Sequence, residues 1–423
     1  MRAYIKTYGC TLNQADTAIM EGLLSKSEID VTQEGDKADV VLFNTCIVKK
    51  PTEQKIFYSI KQAALQGRRI VVAGCMSATR KQQILSIAPN ATIMTPNNVH
   101  MVVEAVKSAA AGVQGNFDSK AKVDKSLFLN PKEGTIAKIA VNDGCLSSCS
   151  FCETKLARGP LKSFSEELII GAIKKSVSMG AKEIQLTSQD MGAYGRDKGT
   201  GIVQLMEKIA RLDGNFKVRI GMLNPEHMAY LGEGFIELMK DDKFYKFVHI
   251  PVQSGSDRVL SHMKRDYTIE EFKLCVDMVR KRMPEATIET DIIVGYPLES
   301  VEDFNATMKA ISEIKPNVTN ISKFSPRPGT PAGRMKQLSN IEVSRRCKEL
   351  SRKVRALQHE LNETMIGKRF NVVITEKTEV SSNGRTPSYK QVVIPGEERG
   401  IGSTIDTYIY AASANVLYGR EAQ

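Results

Sequence analysis

Residues 136–152 read Ile136-Ala-Lys-Ile-Ala-Val141-Asn-Asp143-Gly-Cys145-Leu-Ser-Ser-Cys149-Ser-Phe-Cys152, an apolar run of strand character that empties into a loop carrying three cysteines at spacings of four and three. Three thiolates packed this closely can wrap three corners of one cubic [4Fe–4S] cluster, which leaves the fourth iron without a protein thiolate from this motif. Structural zinc instead takes four protein ligands, often as two separated pairs. No histidine or further cysteine lies nearby in the sequence. An iron with an open site can accept the amino and carboxylate groups of an external ligand.

Working outward, strand-like runs at 136–141, 183–186, 216–220, 247–252, 287–294 and 318–324 alternate with helical patterns such as 166–179, 203–212, 269–281 and 301–314. Six strand–helix units suit an incomplete parallel (β/α)6 barrel, whose chemistry sits at the carboxyl ends of its strands. Upstream, strands at 2–8, 38–43, 69–73 and 91–94 alternate with helices at 13–25, 51–65 and 99–111, which predicts a doubly wound parallel sheet. Cys10, Cys46 and Cys75 each directly follow one of those strands. Strand ends meet on one edge of such a sheet, so these three cysteines converge there and read as the ligands of a second cluster. The plainer reading is three buried thiols, and three strand-terminal placements weigh against it. Cys275 and Cys347 fall inside helical patterns and read as core or helix-surface residues.

Downstream, 341–364 reads as a long charged helix, and β-like runs at 370–375, 390–394 and 404–410 suggest a small antiparallel β-barrel. The expected α/β organisation is an N-terminal doubly wound domain over 1–112, a linker over 113–134, a partial barrel over 135–330, a basic helical segment over 331–365 and a small barrel over 366–423.

The chain has 423 residues, 42% hydrophobic and 25% charged, as in ordinary globular proteins. No apolar run approaches the length that spans a bilayer, and the N-terminus lacks the basic and apolar regions of a signal peptide. A cytoplasmic location and no membrane partner are therefore expected. In a reducing compartment grouped cysteines more often hold metal than disulfides. The formal net charge of +11 points to a polyanionic partner. Between 334 and 369, ten basic residues face four glutamates, so more than half of that excess sits on one helix and its flanks. Arg345, Arg346, Arg352, Lys353, Lys368 and Arg369 there, with Lys390 in the small barrel, are candidate RNA contacts.

CxxxCxxC after the first strand of a six-unit barrel resembles the radical S-adenosylmethionine superfamily. Three separated cysteines followed by that motif, together with Asn44-Thr45-Cys46, Thr187-Ser188-Gln189-Asp190, His249-Ile-Pro-Val-Gln253-Ser254-Gly-Ser256 and Thr290-Asp-Ile-Ile-Val-Gly295-Tyr-Pro-Leu-Glu299, resemble the MiaB-type methylthiotransferases along the whole chain. The terminal barrel resembles an RNA-binding TRAM domain. Residues 48–53 and 192–197 resemble the archaeal and eukaryotic branch, which implies conversion of N6-threonylcarbamoyladenosine at tRNA position 37 to its 2-methylthio form.

The resemblance implies two [4Fe–4S] clusters, one on Cys10, Cys46 and Cys75 and one on Cys145, Cys149 and Cys152. It also implies S-adenosylmethionine as cofactor, a tRNA anticodon stem-loop as partner and an external electron donor. Phe151, Gln189, Asp190, Arg219, Gln253, Ser254 and Gly295 are the implied cofactor contacts; barrel-rim hydrogen bonding is the plain alternative for the polar ones. Open alternatives are a methylthiotransferase acting on isopentenyladenosine in tRNA or on a ribosomal protein, and a non-catalytic iron–sulfur protein that binds RNA or transfers electrons.

Overall fold

A computed structural model describes residues 1–121, 123–129, 134–396 and 399–422. Residues 122 and 130–133 of the expected linker lie outside that set.

The N-terminal sheet consists of β1 (Arg2–Thr7), β2 (Asp30–Val31), β3 (Val40–Thr45), β4 (Arg69–Gly74), β5 (Thr92–Met94) and β6 (Asn116–Phe117), all parallel, in the order β2-β1-β3-β4-β5-β6. Every residue of β3 is buried, as expected of a parallel strand covered on both faces. Side chains alternate across it. Val40 and Leu42 join Ile19, Met20 and Val102 on one side, whereas Val41 and Phe43 join Ile56, Ile60 and Ile84 on the other. The segment expected as a linker is more structured than its composition suggests. Asn116 and Phe117 pair with Ile93 and Met94, and Lys125 is buried.

The central unit carries β7 (Ile136–Ala140), the antiparallel pair β8 (Asn142–Asp143) and β9 (Lys162–Ser163), then β10 (Glu183–Thr187), β11 (Lys217–Arg219), β12 (Phe247–His249), β13 (Thr287–Val294) and β14 (Val318–Lys323). Parallel trios β7-β10-β11 and β12-β13-β14 are joined by the parallel bridge Val218–Phe244 and by Tyr245 N donating to Val218 O at 3.0 Å. The six strands thus run as one open, curved wall with helices outside. The helix Pro225–Met239 has no counterpart in the periodicity reading, because Gly232 and Gly234 interrupt its pattern and Gly232 kinks it.

The helix Asn340–Glu363 packs on β14 and leads to β15 (Arg369–Lys377), β16 (Ser381–Arg385), β17 (Gln391–Pro395), β18 (Thr404–Ala412) and β19 (Leu417–Glu421). These close as β15-β16-β17-β19-β18, antiparallel except for β17 with β19. Val372, Ile374, Val392, Ile394, Ile405, Ile409 and Leu417 fill the barrel. Its β16–β17 turn plugs the amino end of the central barrel. Tyr389 Oη donates to Glu183 Oε1 at 2.9 Å, and Lys246 N donates to Pro387 O at 2.9 Å.

Candidate functional site: two cysteine triads at one interface

The carboxyl ends of β1, β3 and β4 are adjacent, and each delivers one cysteine. Cys10 caps the helix Thr11–Lys26, Cys46 follows β3, and Cys75 begins the helix Cys75–Thr79. Gly9 has φ +101°, and a Cβ there would lie 2.6 Å from Cys46 Sγ, so glycine is what allows the Cys10 loop to approach Cys46. Asn13 ties the loops together, donating to Tyr8 O at 2.9 Å and Thr45 O at 2.7 Å. Burial pushes the Cys75 thiol up to about 12 and raises Cys46 as well, while Cys10 and Cys46 act electrostatically on Cys75. Convergence predicted from strand ends is therefore what the tertiary structure produces.

The second triad lies in the loop after β7. Burial pushes Cys145 up to about 11 and raises Cys149, and Cys149 and Cys152 act electrostatically on Cys145. Arg265 donates from Nη1 to Cys149 Sγ at 3.2 Å and from Nε to Tyr267 Oη at 3.0 Å, and it also hydrogen-bonds Asn224 Oδ1. Asn224 Nδ2 donates to Asp190 Oδ2 at 2.8 Å and to Ser147 Oγ at 3.1 Å. A hydrogen-bonded chain thus joins the end of β10 to the cysteine loop.

Arg158, which sequence reasoning did not single out, connects the triads. Its side chain is 1% exposed. It donates from Nε to Cys75 Sγ at 3.4 Å, from Nη2 to Asn13 Oδ1 and Asp16 Oδ2 at 2.7 Å each, and from Nη1 to Asp143 Oδ1 at 3.0 Å. Lys125 supplies the second cation, 2.9 Å from Asp16 and 2.5 Å from Asp143. Two buried cations facing two buried carboxylates satisfy the requirement that interior charge be paired. Both cations hold Asp143 well below the usual carboxylate range despite its burial.

Two family models match the chain. The radical SAM superfamily covers residues 139–311, and the family described as "Uncharacterized protein family UPF0004" covers residues 2–95. A "Probable threonylcarbamoyladenosine tRNA methylthiotransferase" of Archaeoglobus fulgidus is 40% identical over 100% of this chain and 99% of its own. The Homo sapiens "Threonylcarbamoyladenosine tRNA methylthiotransferase" is 34% identical over 99% of this chain and 74% of its own. This chain belongs to the threonylcarbamoyladenosine tRNA methylthiotransferase family. Among solved structures, the radical S-adenosylmethionine methyltransferase TsrM from Kitasatospora setae shares the fold, with a TM-score of 0.58 at 12% identity over 78% of this chain and 77% of that one.

The donor sets suit the iron–sulfur chemistry of a radical-SAM methylthiotransferase. Tetrahedral zinc, with Zn–S near 2.3 Å, draws its thiolates to about 3.8 Å from one another. Among the described residues no three thiol sulfurs lie within 4.8 Å of each other. Thiols raised by burial are protonated until a cationic group enters, so loading either triad releases protons.

Other sequence-predicted residues of this methylthiotransferase fall into distinct environments. Gln189 Oε1 is buried and has no hydrogen-bond partner among the described residues. Asp190 accepts from Gly192 N at 3.0 Å beside the cysteine loop. The Gln253 backbone is left-handed, with φ 69°, and bridges to Ile292.

Four expected cofactor contacts have other neighbours. Arg219 stacks over Phe247 and Tyr389, with 5.0 and 5.7 Å between guanidinium and ring centroids, toward the plugged end. Ser254 is buried with its hydroxyl 3.4 Å from Thr307 of the helix Val301–Ile314. Gly295 backs onto Val343, where a Cβ would clash at 2.5 Å. Phe151 packs with Val259, Met263 and Tyr296. His249, expected to be a packing residue, lies 3.0 Å from Asp291 inside the barrel.

Two of the expected RNA contacts require correction. Arg346 is buried and paired with Glu299 at 2.8 Å and Glu342 at 2.7 Å. Lys390 is buried, donating to Asn362 Oδ1 at 2.8 Å. Neither cation can reach a phosphate, because each turns inward from the face that its sequence position suggested. Arg352, Lys368 and Arg369 are exposed and Lys353 half-exposed, while exposed Arg345 forms local pairs with Glu342 and Glu349. Cys275 and Cys347 are buried core residues.

Proposed function

We propose that this chain converts N6-threonylcarbamoyladenosine at position 37 of tRNA to its 2-methylthio derivative, in the cytoplasm, using an external one-electron donor. In this reading residues 1–112 present sulfur and 135–330 generate the radical; 331–365 and 366–423 hold the anticodon stem-loop. Cys10, Cys46 and Cys75 hold the auxiliary [4Fe–4S] cluster, and Cys145, Cys149 and Cys152 hold the other. The observation that carries it is the buried Arg158 guanidinium that ties Cys75 to Asp143, two residues before Cys145, since attaching sulfur to a carbon radical requires both functions at one place.

C2 of adenine bears a C–H bond without acidic character, so general acid–base catalysis has no purchase on it. When bound, the clusters and S-adenosylmethionine supply a hydrogen-abstracting radical and a methylated sulfur. The protein's own residues bind, orient and exclude water. Burial of Cys46 and Cys75 keeps solvent from those two sulfurs, while Cys10 stands at the exposed edge of its triad. Arg265, held by Asn224 and Tyr267, orients Cys149. Gln189 Oε1, without a partner among the described residues, offers an acceptor to a hydroxyl or amino donor of the cofactor, and leaving such a buried group unmet costs about 1–3 kcal/mol. Exposed Arg352, Lys368 and Arg369, with half-exposed Lys353, suit the phosphate backbone. The single-stranded anticodon loop lets its base be splayed toward the triads.

Nucleoside mass spectrometry tests this. Reconstituted enzyme, S-adenosylmethionine and reductant should convert the threonylcarbamoylated nucleoside to a product heavier by one methylthio group in place of hydrogen. Unchanged nucleoside, with S-adenosylmethionine still cleaved, would overturn the substrate assignment.

A further inference from the structure

Each triad receives one guanidinium N–H on a cysteine sulfur: Arg265 on Cys149 at 3.2 Å and Arg158 on Cys75 at 3.4 Å. The two differ in where they are anchored. Arg265 and Cys149 both belong to the central barrel, whereas Arg158 belongs to the barrel and Cys75 to the N-terminal sheet. Arg158 begins six residues beyond Cys152, crosses the interface and spends its remaining donors on both sides of it. Asn13 and Asp16 lie on the helix that Cys10 caps, and Asp143 lies two residues before Cys145.

We propose that Arg158 is a positioning residue that sets both the spacing of the two cysteine triads and the electronic character of the one containing Cys75. The inference rests on the assignment of Cys10, Cys46 and Cys75 as cluster ligands. Two physical arguments support it. Hydrogen bonds to ligand sulfur are among the levers that set an iron–sulfur reduction potential, and a cationic donor stabilises the reduced, more negative state. A planar guanidinium held at all three nitrogens is also a rigid spacer, which an ammonium on a flexible stem is not. Arg158 therefore raises the potential of the auxiliary cluster and keeps the two sites in register.

The full-length Cys145, Cys149 and Cys152 triple Ala variant, carrying only the auxiliary cluster, isolates the first effect. With arginine ¹⁵N-labelled in the guanidino group, pulsed hyperfine spectroscopy of the reduced cluster should reveal a coupled guanidinium nitrogen. In the enzyme with both triads intact, Arg158→Lys should shift the auxiliary cluster's midpoint potential to more negative values. The yield of methylthiolated nucleoside per 5′-deoxyadenosine should fall by about 10–100-fold, the usual effect of losing a residue that supports a metal ligand.

Absence of guanidinium coupling overturns the proposal even if the Lys variant is too unstable to assay, and so does a loaded Lys variant with unchanged potential and yield ratio. Loss of all iron from the triple Ala variant would instead refute the ligand assignment itself, so the two failures are told apart by iron content.

Discussion

Arg80 and Glu153 form a forked, buried ion pair across the two cysteine-bearing units, with Nη2 donating to Oε2 at 2.9 Å and the side chains 4% and 2% exposed. Each stands just past the last cysteine of its triad, Arg80 five residues after Cys75 and Glu153 next to Cys152. Arg80 also pairs with Glu53, which pairs with Arg327 of the central unit at 2.6 Å. The interface is therefore latched by a second buried set of ion pairs besides that of Arg158 and Lys125.

Glu153→Ala leaves the buried Arg80 with one carboxylate in place of two, and breaking such a pair costs about 3–5 kcal/mol. Amide exchange should quicken in the helices Cys75–Thr79 and Thr154–Arg158, which flank the pair. Wild-type exchange rates in both helices would show that the pair contributes nothing to docking.

The two triads should have separable duties. Anaerobic reconstitution should load about eight irons per chain, and about four after either triple Ala replacement. The Cys10, Cys46 and Cys75 variant should still form 5′-deoxyadenosine but no methylthiolated nucleoside; the Cys145, Cys149 and Cys152 variant should form neither. Methylthiolated tRNA from the first variant would mean that sulfur comes from elsewhere.

Lys390 makes stability depend on pH. Burial lowers it from 10.5 to about 8. Between those values the unfolded chain holds a proton that the folded chain lacks, so stability rises with pH across that window. The penalty of the buried ammonium is fully present below pH 8, and its relief is worth up to about 3 kcal/mol. Compared with Lys390→Met, the wild type should gain denaturant resistance as the pH rises from about 8 to about 10. Parallel curves for the two proteins would contradict the buried environment.

Surface and buried cations should respond differently to salt. Arg352→Gln or Lys368→Gln should each reduce the slope of log affinity for tRNA against log salt by about one. Lys390→Met should leave that slope unchanged, since its ammonium is engaged with Asn362 and with the Asn317 carbonyl. A slope reduced equally by all three variants would refute the inward orientation of Lys390.

Much was legible in the chain itself. The cysteine spacing of 145, 149 and 152, the strand–helix alternation and the strand-end positions of Cys10, Cys46 and Cys75 are local patterns, and periodicity reports local structure faithfully. The closing of the small barrel was only half legible, because Ser381-Ser-Asn-Gly-Arg385 reads as turn-forming residues and becomes a strand only between β15 and β17. What only the tertiary structure decided was orientation and partnership across distance. Arg346 and Lys390 look like surface cations in sequence but face inward, and Arg158, unmarked by any motif, lies where Cys75, Asp16 and Asp143 meet. The reason is physical: a charge's role depends on which opposite charges surround it and how dry that place is, and residues as far apart in sequence as 16, 75, 143 and 158 become neighbours only when the two cysteine-bearing units pack together.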